Sequence, residues 1–295
     1  MLRFELIQDL DSAKKWWLYF AETPSLYLDW DFRYCFYKPS GHKIYFYLGY
    51  DGDQPVGLLP LEWNEKGYLQ FFGGTYMKKN QIFIKSGFES FVPEFYKNIT
   101  LPLKLEWMSG YDTFTQNFEI QEYDYFLSIK EFNSFDDYKA VAPSRVERKI
   151  RKMRQLNREY KIDVLQNNFE DIELLFRLNI ESYKQDSAFL YQFRQEGFHN
   201  FLELPFDITV FTFVINGEKK GVSLGCLYKG DYMYLTLGFD AENGPPDLSS
   251  YIHLTNFEHA IKMKAKSIDV LAVNCGWKEL WGLQKVPQYK FSQLV

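Results

Sequence analysis

Lys278 stands between Trp277 and Trp281 in the stretch GWKELWG at residues 276–282. An ammonium placed between two indoles is drawn to their faces and partly stripped of water. A cation fixed in that way can act on a negative charge that develops during a reaction. A second cluster lies upstream. From 145 to 161 the chain carries Arg145, Arg148, Lys149, Arg151, Lys152, Arg154, Arg158 and Lys161 against Glu147 and Glu159. Eight bases less two acids give +6, in a chain whose total charge is −5. A helix with one concentrated basic face can hold a polyphosphate, be it a nucleotide-linked precursor, CoA or the acceptor arm of a tRNA. Arg145 and Lys149, one turn apart, are the expected anion contacts, and the plainer alternative is a solvated face. His42, His199, His253 and His259 show no metal-ligand spacing, so structural or surface roles are expected for them and no metal site. No Ser/His/Asp, Walker or Rossmann motif is present.

The elements that must position these residues read as two copies of one plan. IYFYLGYDG, PVGLLPLEW and YLQFFGGTY in the first half answer to ITVFTFVING, GVSLGCLY and YMYLTLGFD in the second. Each copy is strand, turn at Asp51-Gly52 or Asn216-Gly217, strand, turn at Asn64–Gly67 or Lys229–Asp231, strand. Asp-Gly and Asn-Gly favour type I′ hairpins, whose central residues need positive φ. Two matched meanders suggest a duplicated domain. Helices are expected over Ser12–Phe20, 88–98, from Ser144 onward, 170–185 and 190–204. Another runs from a cap at Ser249 or Ser250 to about Met263. SIDVLAV then reads as a buried strand, followed by a short helical piece holding Trp277 to Leu283.

The 295 residues include 57 aromatics, 28 Phe, 22 Tyr and 7 Trp, which excludes extensive disorder. Net charge −5 and a pI near 5.5 argue against a dedicated DNA-binding protein. Cys35, Cys226 and Cys275 form neither a disulfide framework nor a metal knuckle, which fits a reduced, cytoplasmic setting. No run approaches the roughly 20 apolar residues of a membrane span, and MLRFELIQDLD does not read as a signal peptide.

The order helices, three-strand meander, helix, strand is similar to the GNAT acyltransferase fold, and its tandem use resembles the FemAB-type aminoacyltransferases and the related CelD-like group. SRVERKIRKMRQLNREYKIDV looks like the basic helix opening the second unit of that group. VINGEKKGVSLGCLYKGDYMYLTLGFDAE is similar to their central hairpin, and GWKELWG to their aromatic-Lys-x-x-aromatic-Gly motif. The implied fold is α/β (layered α+β). It has two tandem GNAT-like units, each a mostly antiparallel central sheet flanked by helices, over 1–135 and 136–295.

The resemblance implies that Lys278 stabilises the oxyanion of acyl transfer, with Trp277, Trp281 and Tyr234 lining the cleft. For the proton lost by an attacking amine, Asp240 at the end of the central strand and Tyr251 on the next helix are the candidates. The loop AENGPPDLSS lacks the glycine-rich pyrophosphate cradle of CoA-using relatives. Pro245 and Pro246 have no N–H, and Glu242 and Asp247 add negative charge, though Ser249, Ser250 and Tyr251 still offer donors.

The first expectation is therefore an amide-forming acyl or aminoacyl transferase. It has no tightly bound cofactor, acyl-CoA or aminoacyl-tRNA as co-substrate, and a small-molecule or peptide amine as acceptor. Lys278→Met is then expected to abolish turnover at a nearly unchanged melting temperature. The other expectation is a duplicated fold that only binds a partner, favoured by its many tyrosines. Convergence of Lys278, Arg145 and Tyr251 on one cavity would separate the two. No long heptad stretch supplies the helical arm of some tRNA-using relatives, and nothing in the sequence speaks to oligomeric state.

Overall fold

The computed structural model describes residues 2–21, 25–109, 118–273 and 276–293; Cys275 lies outside them. In chain order the first elements are β1 (Arg3–Ile7), α1 (Leu10–Phe20), α2 (Trp30–Tyr37), β2 (Ile44–Asp51), β3 (Gln54–Trp63), β4 (Leu69–Phe71), β5 (Phe83–Ile84), α3 (Val92–Lys97), β6 (Leu103–Met108) and β7 (Glu119–Ser128). There follow α4 (Phe135–Val141), α5 (Ser144–Glu159), β8 (Ile162–Gln166), α6 (Ile172–Tyr183), α7 (Gln192–Leu202), β9 (Asp207–Ile215), β10 (Glu218–Tyr228), β11 (Asp231–Phe239), α8 (Leu248–Lys262), β12 (Ser267–Ala272) and β13 (Gln284–Gln293).

The chain forms two compact units that interleave in sequence. One comprises 1–123, 196–204 and 286–295, the other 124–195 and 205–285. The first unit has strand order β1-β2-β3-β4-β6-β13, with β5 on β3. The second has β7-β12-β11-β10-β9-β8. In both, every neighbouring pair is antiparallel except one: β4 with β6 in the first unit, β11 with β12 in the second. A mostly antiparallel sheet with one parallel step after the meander is thus common to the two.

The hairpins follow local turn chemistry. Ile215 pairs with Glu218 across Asn216-Gly217, with φ 50° and 89°, the two positive values a type I′ turn needs. In the first unit the register differs from the expected one. Asp51 itself pairs with Gln54, so Gly52-Asp53 are central, with positive φ at Gly52 only; that is the type II′ pattern.

Helices pack by their apolar faces. In α5, Val146, Ile150 and Leu156 are buried; in α6, Ile172, Leu175, Phe176 and Leu178 are. α6 lies hard against β11, where a Cβ on Gly238 would stand 2.5 Å from Leu175 O and 2.6 Å from Asn179 N. Cys35 and Cys226 are buried. Among the described residues no helix is long and apolar enough to cross a membrane.

Candidate active site

The second unit opens where its two parallel strands part. β11 and β12 pair only through Asp231–Met233 and Ser267–Asp269. Beyond that point residues 234–237 and 270–273 face a cavity of about 560 Å³. Asn179 and Tyr183 of α6, Asp186, His253 of α8, Trp277 and Lys278 line the rest. Such a volume suits a small ligand group. The strands part because both are irregular there. β11 is out of step with β10 at Leu224/Gly225, which leaves Leu235 bulged, and β12 is out of step with β7 between Asp269 and Ala272.

The end of β12 is held in an unusual conformation. Leu271 and Val273 have φ of 61° and 78°, a region that costs a β-branched residue on the order of 1–3 kcal/mol. Lys278 holds it there. The residue is 4 % exposed, and its ammonium donates to the carbonyls of Val270 (2.8 Å), Leu271 (2.7 Å) and Ala272 (2.9 Å) and lies 5.3 Å from the Tyr125 ring centroid. The Asp269 carboxylate accepts the Leu271 N–H at 2.9 Å. A lysine has three N–H donors, and these three carbonyls take them all. Lys278, expected to meet an oxyanion directly, thus has its donors engaged by the chain and sets a positive charge in the cavity wall.

Tyr234 and Trp277 line this cavity, and they frame His253, for which the sequence suggested only a structural or surface role. His253 stacks on Trp277 at 4.1 Å between centroids and 24°, and its Nδ1 is 3.2 Å from Tyr234 Oη. Burial, followed by the charges of Lys278 and Lys149, pushes the His253 imidazole down to about 3. Burial also raises the Tyr234 hydroxyl well above its ordinary value. At neutral pH both are uncharged. No signal in the sequence singles out His253, because its partners come from a different strand and a different loop.

The other expected site residues do not converge here, since none of them lines the cavity. Trp281 is buried behind it, packed on Trp277 and Phe257. Tyr251 sits in the core with Leu156, Phe213 and Ile252 and donates to Asn157 Oδ1 at 3.0 Å. Asp240 shapes its own loop. It accepts the N–H groups of Asn243 (2.8 Å) and Glu242 (3.2 Å), pairs with Lys220 at 3.0 Å, and is held below the usual carboxylate range chiefly by the Asn243 bond. A carboxylate so stabilised is a poor general base. Ser249 and Ser250 lie in the first turn of α8 without capping it. Arg145 is exposed on α5. Convergence of Lys278, Arg145 and Tyr251 is thus not found, and the constellation in the cavity is Tyr234, His253, Trp277 and Lys278.

Lys149 is not available for a phosphate either. With Lys152 it pairs to the carboxylate of Asp247, the residue at the cap position of α8, which has φ 64°. Pro245 and Pro246 before it lack N–H groups, so this helix start has fewer free amides than a glycine-rich pyrophosphate loop, and the carboxylate of Asp247 already occupies the two lysines beside it.

The clamp has a pH signature. Burial alone would raise the Asp247 carboxyl, but hydrogen bonds and charge from Lys149 and Lys152 outweigh it and hold the group below its ordinary range. A carboxyl depressed by folding adds stability above its unfolded value near 4, and that stability is lost as pH falls through the folded value. The lysine side chains are 34 % and 56 % exposed, which limits the effect. Asp247→Asn is expected to cost about 1 kcal/mol at pH 7 and progressively less below pH 4. Thermal melts at pH 7 and pH 3 test this, and an equal deficit at both would refute it.

The corresponding opening in the first unit is closed by its own chain. β4 and β6 pair in parallel only at Leu69 and Leu103. Past them, Asn80 bridges to the β6 end: its N–H donates to Trp107 O (2.8 Å), its side chain to Glu106 O (2.8 Å), and its carbonyl accepts from Ser109 N–H (3.0 Å). Arg33 locks this plug through Phe72 O (2.5 Å), Lys79 O (2.7 Å), Asn80 Oδ1 (2.7 Å) and Tyr27 O (2.5 Å). What remains beside Gln70, Gly74 and Trp107 is a hollow of about 10 Å³.

A cleft between diverging parallel strands after an antiparallel meander defines a GNAT-type acyltransferase fold. Residues 142–279 match the model of the acetyltransferase (GNAT) domain family. The fold of the whole chain is similar to the crystal structure of FemX (TM-score 0.63, 10 % identity, 98 % of this chain and 97 % of that one). It is also similar to a tandem GNAT protein from the clavulanic acid biosynthesis pathway (0.55, 10 %, 99 % and 98 %). A third likeness is the C-terminal domain of a putative lysylphosphatidylglycerol synthetase from Agrobacterium fabrum (0.58, 7 %, 93 % and 88 %). No curated protein matches by sequence. Residues 142–279 thus match the GNAT acetyltransferase domain family, and the chain as a whole has a tandem GNAT fold like that of FemX and of the clavulanic acid pathway protein.

Proposed function

We propose that the protein forms an amide bond by transferring an aminoacyl group from an aminoacyl-tRNA to an amine, in the cavity of the second unit. The observation that carries this reading is the cavity itself: a gap between parted parallel strands, walled by Tyr234, His253, Trp277 and the Lys278 charge. Its volume takes an aminoacyl group and not its carrier, so the carrier's phosphates need another surface. Arg148, Arg151, Arg154 and Arg158 are exposed on α5, opposite its buried Val146 and Ile150, and arginine suits phosphate. CoA is disfavoured as donor by the Asp247 clamp and the two prolines. Asp186, exposed on the cavity lining, is placed to hold the acceptor's ammonium before it loses a proton and attacks.

Thermal shifts against CoA, acetyl-CoA, a long-chain acyl-CoA, a UDP-sugar peptide precursor and bulk aminoacyl-tRNA test the donor and acceptor classes. A ligand at 100 times its Kd adds about 2.7 kcal/mol. Stabilisation by aminoacyl-tRNA with none by CoA is expected. Stabilisation by the CoA compounds would replace the tRNA reading with a thioester one, and silence across the panel would count against both.

A further inference from the structure

We infer that Tyr234 is the residue that donates a hydrogen bond to the oxyanion, and that His253 is the positioning residue that turns the Tyr234 O–H toward the cavity. The inference rests on the transferase reading above and adds the group that meets the developing charge.

The argument begins with which donors in the cavity are already used. Lys278 gives its three protons to Val270, Leu271 and Ala272. Asn179 Nδ2 donates to Leu237 O at 2.6 Å. Tyr234 is 4 % exposed, lines the same cavity, and has its hydroxyl 3.2 Å from His253 Nδ1. That contact can run in either of two directions. With the imidazole proton on Nε2, the phenol must donate to Nδ1, and its hydrogen is consumed. With the proton on Nδ1, the imidazole donates to Oη and the phenol hydrogen is left to point into the cavity. Only the second arrangement leaves the Tyr234 hydrogen free for the cavity.

Charge agrees with this assignment. The groups facing the imidazole are Tyr234, Trp277 and Trp281, all neutral, with the cations Lys278 and Lys149 acting on it. Two cations and burial keep His253 from taking a proton, and the phenol resists losing one. A pair that neither protonates nor ionises does not serve as a base. It serves as a fixed hydrogen-bond donor, the kind of preorganised group that stabilises charge in a dry site. The Lys278 charge in the same wall favours the same negative oxygen.

In the step, the amine nitrogen forms a bond to the acyl carbon and the C=O π pair moves onto oxygen, which the Tyr234 O–H then meets. Collapse re-forms the carbonyl and breaks the bond to the carrier oxygen, which leaves with the proton the amine gives up. Tyr234 keeps its hydrogen throughout.

Two measurements test the inference separately. Nitrogen NMR of protein labelled in histidine, with His253 assigned by loss of its signals in His253→Asn, reads the tautomer directly. A protonated Nδ1 and a bare Nε2, unchanged between pH 5 and 8, are expected; a protonated Nε2 overturns the inference whatever the kinetics show. Kinetics use bulk aminoacyl-tRNA and the UDP-sugar peptide precursor. Tyr234→Phe keeps the ring and its packing and is expected to lower kcat roughly 100-fold with little change in KM. His253→Asn, which keeps an N–H donor near the Nδ1 position, is expected to retain far more activity than His253→Leu. Wild-type kcat in Tyr234→Phe overturns the inference. Absence of turnover by the unmodified protein counts against the transferase reading instead, and the NMR then decides the orientation of Tyr234.

Discussion

Lys278→Met is expected to lower the melting temperature by roughly 6–12 °C, as well as to remove activity. The sequence pattern alone leads to the expectation of a nearly unchanged melting temperature, because it presents Lys278 as a cation serving the reaction and not the fold. In the structure its ammonium is buried and is the shared donor of three consecutive carbonyls. Methionine fills the stem's volume but leaves those carbonyls without partners, and unsatisfied buried groups cost about 1–3 kcal/mol each. Part of that is recovered when Leu271 and Val273 relax from positive φ, so a net loss of about 3 kcal/mol is reasonable. At about 2–4 °C per kcal/mol for a unit of this size, the shift follows. Arginine is no rescue, since its planar fork does not match three carbonyls converging on one point. Differential scanning calorimetry of the variant decides it: an unchanged melting temperature would show that the carbonyl cage contributes nothing. It also follows that loss of activity in Lys278→Met says little about chemistry, because the cavity wall goes with it.

How much of this was legible in the sequence depends on how local the cause is. The second hairpin is set by two residues, Asn216-Gly217, and both adopt the positive φ that their types favour. The amphipathic helices α5 and α6 show their buried stripe as a period. α2 shows none, since Trp30, Phe32, Arg33, Cys35, Phe36 and Tyr37 are all buried; a helix covered on nearly every side has no apolar face to read. β7 and β13 are mixed polar strands whose partners, β12 and β6, lie far away in sequence, and nothing in EIQEYDYFLS or QKVPQYKFSQ announces the pairing. The site divides in the same way. The aromatic-lysine motif and the two prolines could be read directly, whereas the Tyr234–His253 pair exists only once β11 and α8 are packed. Asp247 is the instructive intermediate: its charge was visible, but its engagement with two lysines of the basic helix was not.

Arg33→Met is expected to destabilise the first unit by about 3–5 kcal/mol, the range for removing one partner of a buried charged network. Arg33 is 1 % exposed, and burial pushes its guanidinium down to about 9, with the Glu62 charge opposing. It therefore remains charged at neutral pH. Four acceptors surround it, and three of them, Phe72 O, Lys79 O and Asn80 Oδ1, belong to the segment that fills the gap between β4 and β6. A methionine of similar length offers none of them a proton, and lysine places a single point charge where a planar fork is needed. The first unit thus uses a buried arginine to close the opening that stays a cavity in the second unit, which accounts for the cavity in one copy of a duplicated plan and the plug in the other. Hydrogen exchange at the Asn80 and Ser109 amides, whose bonds to Trp107 O and Asn80 O form the plug's seam, is expected to accelerate sharply in Arg33→Met. Protection equal to that of the unmodified protein would mean that the plug holds without its arginine.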